Sequence, residues 1–472
     1  MPFLPVLLWT DVLLWLLVGV AASYAFYCRR RPHLAAPWAR VFSSRAAMVS
    51  GVVLACYLAV GLADSLHLRQ ALAAKDGKPA AGHSGEVVSV LDLAFTHLRG
   101  RNEKTYSAPL ATRLHQKETV EMPDGRQLRE YPRLRFGGAH LKDEAQAPAD
   151  ILLRAMGGLS AALVAWLAIG YALVRPLTLR APAMPWVSAW ATLGAILAVA
   201  GPVIALSQAY HVFGTDKVGQ DVMLHALKSI RTSLVIGTLT TLVLLPMGVL
   251  LGIAAGYFKG WIDDLIQYVY TTLNSIPSVL LIAAAVLMMQ VYIDTHPEIF
   301  PTAAHRADLR LLLLCVILGL TSWTGLARLL RGESLKLSEL EYIQAAHAFG
   351  VAHGRIIVRH ILPNVAHIVI IALVMDFSGL VLAEAVLSYV GVGVDPSTTS
   401  FGTMINSARL EMSRDPIVWW SLATAFAFMF VLVLAANLFA DAVRDGFDPR
   451  VRVGARKPAG QAAAKPAAQA TK

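Results

Sequence analysis

Glu341-Tyr342-Ile343-Gln344-Ala345-Ala346-His347-Ala348-Phe349-Gly350, running on to His360-Ile361-Leu362-Pro363-Asn364, is a long polar and basic interruption deep inside an otherwise apolar C-terminal half. Its local signals spell two short helices joined by a bend. Ser338, with Glu341 three residues on, has the pattern of a capping box, and Glu339 and Glu341 bring negative charge to the positive end of the helix. Leu340, Ile343, Ala346 and Phe349 recur at helical spacing on one face. Gly350 can take the left-handed conformation that ends such a helix. A second short helix carries Arg355, Arg359 and His360, and Pro363 predicts a stop at Leu362. On periodicity and charge alone, a basic loop helix resting on a membrane surface accounts for the stretch.

The spacing carries more than that. Ala345, Ala346, Gly350, Leu362 and Pro363 stand where the "EAA" loop of the inner-membrane permeases of bacterial binding-protein-dependent ABC importers has its Ala-Ala, Gly and Leu-Pro, and the chain resembles that family. It departs at Gln344, where the pattern has Glu, and at His360, where it has Ile. Both departures are similar to those of the peptide and nickel branch, in which His-x-Leu-Pro-Asn is common. The resemblance implies that Gln344, Ala345, Ala346, Gly350, Arg355, Arg359, His360, Leu362 and Pro363 belong to a cytoplasmic coupling loop, residues 330–364, seated in a groove of a separate ATPase subunit.

Composition sets the class. At 472 residues the chain could hold two or three soluble domains, but 56% of it is hydrophobic, 15% is charged, and the mean hydropathy is +0.56. Those values suit a polytopic helical membrane protein, because runs of about 20 apolar residues are what a bilayer core requires. The net charge of +10 is therefore read as basic cytoplasmic loops and not as nucleic-acid binding. Cys28, Cys56 and Cys315 lie in or beside apolar segments without metal-ligand spacing.

Nine spans are expected, near 3–27, 46–63, 151–174, 186–208, 231–256, 265–292, 309–327, 365–390 and 416–440. The first has no basic residue ahead of its apolar run, and Arg29-Arg30-Arg31 follow it, so it is expected to stay uncleaved with its N-terminus outside. Arg40, Arg45, Arg175, Arg180, Arg328, Arg331, Lys336, Arg444 and Arg450 then fall inside. Lys228 and Arg231 fall outside and break the positive-inside rule. The organisation expected is a two-helix segment 1–63, a periplasmic insert 64–150, a third helix and linker 151–185, a permease core 186–450, and a disordered cytoplasmic tail 451–472. In the insert, Pro123-Asp124-Gly125 reads as a turn between strand-like runs Glu118 to Met122 and Gln127 to Leu134. The fold class is thus all-α and polytopic: the resemblance implies a six-helix importer core, to which three N-terminal helices and a small, partly β insert are added.

Further matches flank the loop. Gly214, Thr215, Asp216, Gly219 and Asp221 look like the Gly-Thr-Asp-x-x-Gly-Arg-Asp segment that peptide-branch permeases carry on the periplasmic side, with Gln220 replacing Arg. The glycines allow tight turns and the aspartates can cap helix starts, so a structural role is favoured over a rim that meets a binding protein. Pro277, after Asn274, predicts a kink in the sixth span. Many relatives have an aspartate five residues before that proline, where Thr272 stands here. Glu384-Ala385-Val386-Leu387-Ser388-Tyr389-Val390-Gly391 resembles the segment at the outer end of the eighth span. Acids at membrane depth are costly, which makes Asp376 and Glu384, with Asn274, candidate pathway residues; for Glu384 an interfacial, packing or capping role ranks at least equal to substrate contact, and Asp376, nearer mid-span, is the better pathway candidate.

Absences narrow the chemistry. No phosphate-cradling Gly-x-x-x-x-Gly-Lys-Ser/Thr loop occurs, since Gly77 to Ser84 has His83 where the lysine must be, so no ATP hydrolysis by this chain and no cofactor or metal of its own are expected. The resemblance implies ATP and Mg in two partner ATPase subunits, a second homologous permease, a periplasmic solute-binding protein and a bacterial inner-membrane location. An ion-gradient-driven transporter would be expected to show inverted repeats and several mid-span acids, which are not evident. The other alternative is a membrane-anchored interaction or sensor protein whose working part is residues 64–150, and intact uptake after deletion of that insert would count against it.

Overall fold

The computed structural model describes residues 3–71, 83–121, 127–180, 184–296, 298, 302–395 and 397–447. The Pro123-Asp124-Gly125 turn and the tail 451–472 lie outside those residues. Strand β1 (Phe3–Val6) leads into α1 (Trp9–Arg29), α2 (Pro32–Ser43) and α3 (Arg45–Asp64). The insert follows as β2 (His67–Ala71), β3 (His83–Ser89), α4 (Val90–Ala94), α5 (Thr96–Arg99), β4 (Glu118–Glu121) and β5 (Gln127–Glu130). Helix α6 (Ala147–Ile169) runs through a π turn at Gly170–Val174 into α7 (Arg175–Arg180), and α8 (Trp186–Ser207) returns beside it. The remainder is α9 (Val222–Phe258), α10 (Gly260–Ser275), α11 (Ser278–Thr295), α12 (Ala303–Ser322), α13 (Thr324–Ser338), α14 (Glu341–Ala348), α15 (His353–Ile356), α16 (Leu362–Val390), α17 (Phe401–Glu411) and α18 (Trp420–Phe447). Among the described residues, nine helical runs are long and apolar enough to cross a membrane. In lipid such runs are stable as helices because each satisfies its backbone hydrogen bonds internally.

Helix α9 is the axis of the bundle. Asp221 caps its start, the carboxylate Oδ1 accepting from the Met223 amide at 2.8 Å. Its upper half packs on α12 and α16, and its lower half packs on α13. Gly248, Gly252 and Gly256, four residues apart, make the lower contact possible. A Cβ at Gly252 would sit 2.7 Å from the Ala327 carbonyl oxygen, and one at Gly256 would sit 2.5 Å from that of Arg331. Small residues at this spacing let two helix backbones meet closely. The Arg331 guanidinium then clamps Asp263 of α10 with two hydrogen bonds, of 2.6 and 2.7 Å.

Four local expectations are revised. Residues 3–6, expected as the head of the first span, are an edge strand: Phe3 pairs with Gln70, and β2 pairs in turn with β3, both antiparallel. The sixth span is broken and not merely kinked. Ile276, before Pro277, is held extended (φ −91°, ψ 131°), so α10 and α11 are separate helices. Strand β5 ends at Glu130 instead of Leu134, though Glu118 does pair across to Glu130. Helix α6 begins at Ala147, a turn earlier than expected.

The two cations expected to break the positive-inside rule are both paired with acids of the N-terminal half. Lys228 lies 2.8 Å from Asp92 of α4. Arg231, only 9% exposed, holds Asp11 of α1 through Nε at 3.1 Å and Nη2 at 2.5 Å, and donates to Thr10. Asp11 also meets His67 at 2.7 Å, and Thr10 bonds Asp308 of α12.

Candidate coupling surface

The stretch 341–363 forms a bent finger at the end of the bundle where α9 and α13 terminate. Leu340 and not Ser338 caps α14: its extended backbone (φ −73°, ψ 139°) starts the helix without a side-chain bond. The expected capping box is absent because Ser338 is still inside α13, its hydroxyl bonded to the Leu335 carbonyl at 2.8 Å. At the far end Gly350 is left-handed (φ +73°). Its amide bonds the His347 carbonyl and that of Val351 bonds the Ala346 carbonyl, the paired pattern that closes a helix on a glycine.

The finger has a buried root and an exposed tip. Ile343, Ile356, Ile361 and Val365 are each 0% exposed and pack with Leu244, Ile253 and Leu330. Tyr257, at the end of α9, places its hydroxyl 2.8 Å from His347 Nε2 and 3.0 Å from His353 Nδ1, so one phenol ties both arms of the bend to the axial helix. Lys259 pairs with Glu339, and the Gln344 amide donates to the Glu339 carbonyl at 3.2 Å. Phe349, expected on the apolar face, is instead 87% exposed. It is the C-cap residue, where the chain turns away from the helical path, and its ring stands clear of the root. Ala345 is exposed and Ala346 half-buried. Arg355 and Arg359 are exposed and without ion pairs among the described residues.

Pro363 does not end the second helix. A π turn at Ile357–Ile361 carries α15 into α16, with Pro363 in the first turn of the longer helix. There its missing N–H and fixed φ cost little. Asn364 donates to the His360 carbonyl at 2.7 Å and to the Tyr342 hydroxyl at 3.2 Å, joining the two arms again. The roles of Tyr257, His347 and His353 were not read from the sequence. The glycine triplet at 248, 252 and 256 was the signal that could have marked α9 as the helix against which the root is built.

At the opposite end, the segment 214–221 is the seat of the insert. Gly214 and Gly219 have φ of +72° and +78°. A Cβ at Gly219 would lie 1.9 Å from the Glu103 carbonyl oxygen, and one at Gly214 would lie 2.5 Å from that of Ser107. Thr215 Oγ1 accepts from the Ser107 amide at 2.7 Å and donates to the Thr105 carbonyl at 2.9 Å. Its own carbonyl accepts from the Trp420 indole at 3.0 Å. Asp216 takes the amides of Val218 and Gln220. Tyr106 of the insert is sunk among Val222, Ala226, Phe401 and Trp420, with its hydroxyl 3.3 Å from Glu411 of α17. The insert thus bridges α9, α17 and α18.

A buried charge cluster fastens that seat. Glu103 accepts from the amides of Arg135, Phe136 and Gly137, and lies 3.5 Å from His211 Nε2. His211 Nδ1 meets Asp221 at 2.7 Å. Burial pulls the His211 imidazole down, but the Asp221 and Glu103 carboxylates outweigh it and hold it up at about 9. Burial raises Glu103, and the His211 contact and three backbone donors more than reverse this, taking it to about 2. The imidazolium's contribution is complete below its unfolded value near 6.5 and fades as pH rises through 9. Glu103 contributes fully above about 4.5 and is lost as pH falls through 2. Proteolytic accessibility of residues 99–141 should accordingly rise between pH 7 and 10 in the wild type, and His211→Gln should flatten that rise.

The candidate pathway residues do not come together. Glu384 is 1% exposed, and its Oε1 accepts from Ser388 at 2.6 Å and Ser400 at 2.9 Å, so it braces the start of α17. Asn274 is exposed at the end of α10 and accepts from Thr324 at 3.2 Å. Asp376 is half-buried on α16 and makes no hydrogen bond or ion pair among the described residues.

Sequence comparison supplies the family. Residues 248–453, which hold roughly the last three turns of α9, the finger and α16 to α18, match the family model described as "Binding-protein-dependent transport system inner membrane component". The chain is 31% identical over 242 residues to the oligopeptide transport system permease protein OppC of Mycobacterium tuberculosis, covering 51% of this chain and 77% of that one. It is 32% identical to the glutathione transport system permease protein GsiD of Pectobacterium atrosepticum, covering 51% and 73%. It is 30% identical to the dipeptide transport system permease protein DppC of Lactococcus lactis, covering 51% and 64%. With nine helical runs long and apolar enough to cross a membrane among the described residues, a bent finger rooted on its axial helix, and this extent of similarity, the chain belongs to the family of inner-membrane components of binding-protein-dependent transport systems.

Proposed function

We propose that this chain is one of two permease subunits of an ATP-driven importer for peptides or similar small solutes in a bacterial inner membrane. A second homologous permease would complete the central pathway. Two separate ATPase subunits would supply ATP and Mg, and a periplasmic binding protein would deliver the solute. The observation that carries the reading is the finger: an exposed aromatic tip and two free arginines on a root locked to α9 by Ile343, Ile356 and Tyr257. A push on such a tip travels through α13 and the glycine contact into α9 rather than being absorbed locally. Rigid elements of this kind let nucleotide and solute bias one two-state transition.

Co-purification tests the reading. ATPase subunits should be retained by the wild type and lost on Gly350→Pro, or on charge reversal of Arg355 and Arg359 together. Retention by both variants would sink the finger as the coupling element. The substrate class rests on relatives named for dipeptide, oligopeptide and glutathione transport. Asp376, half-buried and unpaired on α16, is assigned to the pathway or to the contact with the second permease. Asp376→Asn and Asp376→Leu should each lower uptake or assembly several-fold, and unchanged transport in both would remove the residue from that role.

A further inference from the structure

We infer that the turn between the first two spans is a binding site for anionic phospholipid headgroups. From Val12 to Ala63 the sequence contains no Asp or Glu, yet Arg29, Arg30, Arg31, Arg40 and Arg45 fall within it. None of the five forms an ion pair among the described residues, and all but Arg40 are exposed. Five guanidinium groups without an acidic partner, on one connection between spans, offer a site to an outside partner with negative charge.

Three observations say what that partner is. Helix α2 does not project from the body. Its Pro37 and Val41 are buried, Trp38 meets the Phe447 ring edge-on at 5.1 Å, and a Cβ on Gly446 would lie 2.4 Å from the Val41 side chain. The helix is therefore held against the end of α18, on the same side of the bundle as the finger, since Ile370 and Val374 of α16 join the same cluster. The arginines next to it fold back over aromatic rings at the end of α1: Arg30 over Phe26 at 4.2 Å and Arg31 over Tyr27 at 5.7 Å. Those rings are themselves 57% and 51% exposed and continue an exposed apolar face that includes Val20. A partner covering this surface must present hydrocarbon and anion side by side, which a phospholipid does and a soluble acidic protein does not. Guanidinium groups suit phosphodiesters because their planar fork can donate two hydrogen bonds at once.

The test uses the full-length chain, purified in detergent and titrated with phosphatidylglycerol or phosphatidylcholine, with retained lipid read by native mass spectrometry and unfolding read by heat. The wild type should prefer phosphatidylglycerol, and the preference should weaken with added salt. Neutralising Arg30, Arg31 and Arg40 to Gln should reduce it by about 100-fold, at about five-fold per arginine near a charged surface. The corresponding Arg→Lys triple variant keeps the charge, and it should fold and keep most of the preference. Arg328→Gln, a basic position elsewhere on the same side, should leave it unchanged. Equal retention of the two lipids by the wild type, or a preference that survives neutralisation, overturns the inference. Stabilisation by inorganic phosphate alone to the same degree would make this a soluble-anion site. Loss of ATPase subunits with lipid preference intact would assign the surface to a protein partner. Either result overturns the lipid assignment.

Discussion

Replacing Phe349 with alanine should leave the purified chain as stable as the wild type while reducing ATP-driven uptake at least ten-fold. The two readouts separate because the ring contributes nothing to the fold: it is 87% exposed and absent from the cluster at the root. A protruding aromatic that fills a pocket on a partner is typically a hot spot, and truncating one costs about 2–4 kcal/mol of binding. Ile343→Asp makes the contrasting case. Ile343 is 0% exposed, and a carboxylate there has no counter-charge, so that variant should fail by collapse of the finger itself, with lowered thermal stability as well as lost uptake. If Phe349→Ala supported normal uptake, the tip would not be the contact proposed for the ATPase subunits.

The second large effect is expected at the other end of the molecule. Gly219→Val should detach the insert. The new Cβ would fall 1.9 Å from the Glu103 carbonyl oxygen, and φ of +78° is hostile to a β-branched residue. Glu103 cannot retreat, because its carboxylate is committed to three backbone amides and to His211. A loss of about 3 kcal/mol or more is expected, seen as rapid cleavage within residues 99–141 under limited proteolysis. Retention of ATPase subunits should be unaffected, since the finger lies at the opposite end of the bundle. An insert that stays protease-resistant in Gly219→Val would show that the motif is not its seat.

What the sequence made legible follows from what kind of signal each feature leaves. Apolar runs are long and redundant, so all nine spans were placed, with errors at their ends and at the break inside the sixth. The finger was found through fixed spacing, and its glycine bend was read correctly because φ above zero leaves few residues to choose from. Ser338 misled because a capping-box pattern reports only local chemistry, whereas α13 runs through that residue on the strength of its packing against α9. Pro363 misled in the same way: a proline reads as a stop, yet in a first helical turn it is harmless. Residues 3–6 became a strand only because β2, more than sixty residues later, supplies an edge, and no local pattern carries that information. Glu384 looked like a pathway acid because an isolated carboxylate at membrane depth is expensive. The hydroxyls that shelter it come from Ser388 and, sixteen residues on, Ser400.

The pairing of Lys228 and Arg231 with Asp92 and Asp11 has a bearing on any attempt to whittle the protein down. A shortened version starting near residue 186 would keep the six-helix body but would leave both cations beside lipid with nothing to balance them. Trimming alone should therefore yield a poorly inserting product. A workable miniature would require uncharged residues at 228 and 231 as well, so the leading third of the polypeptide is better regarded as a counterweight than as an appendage.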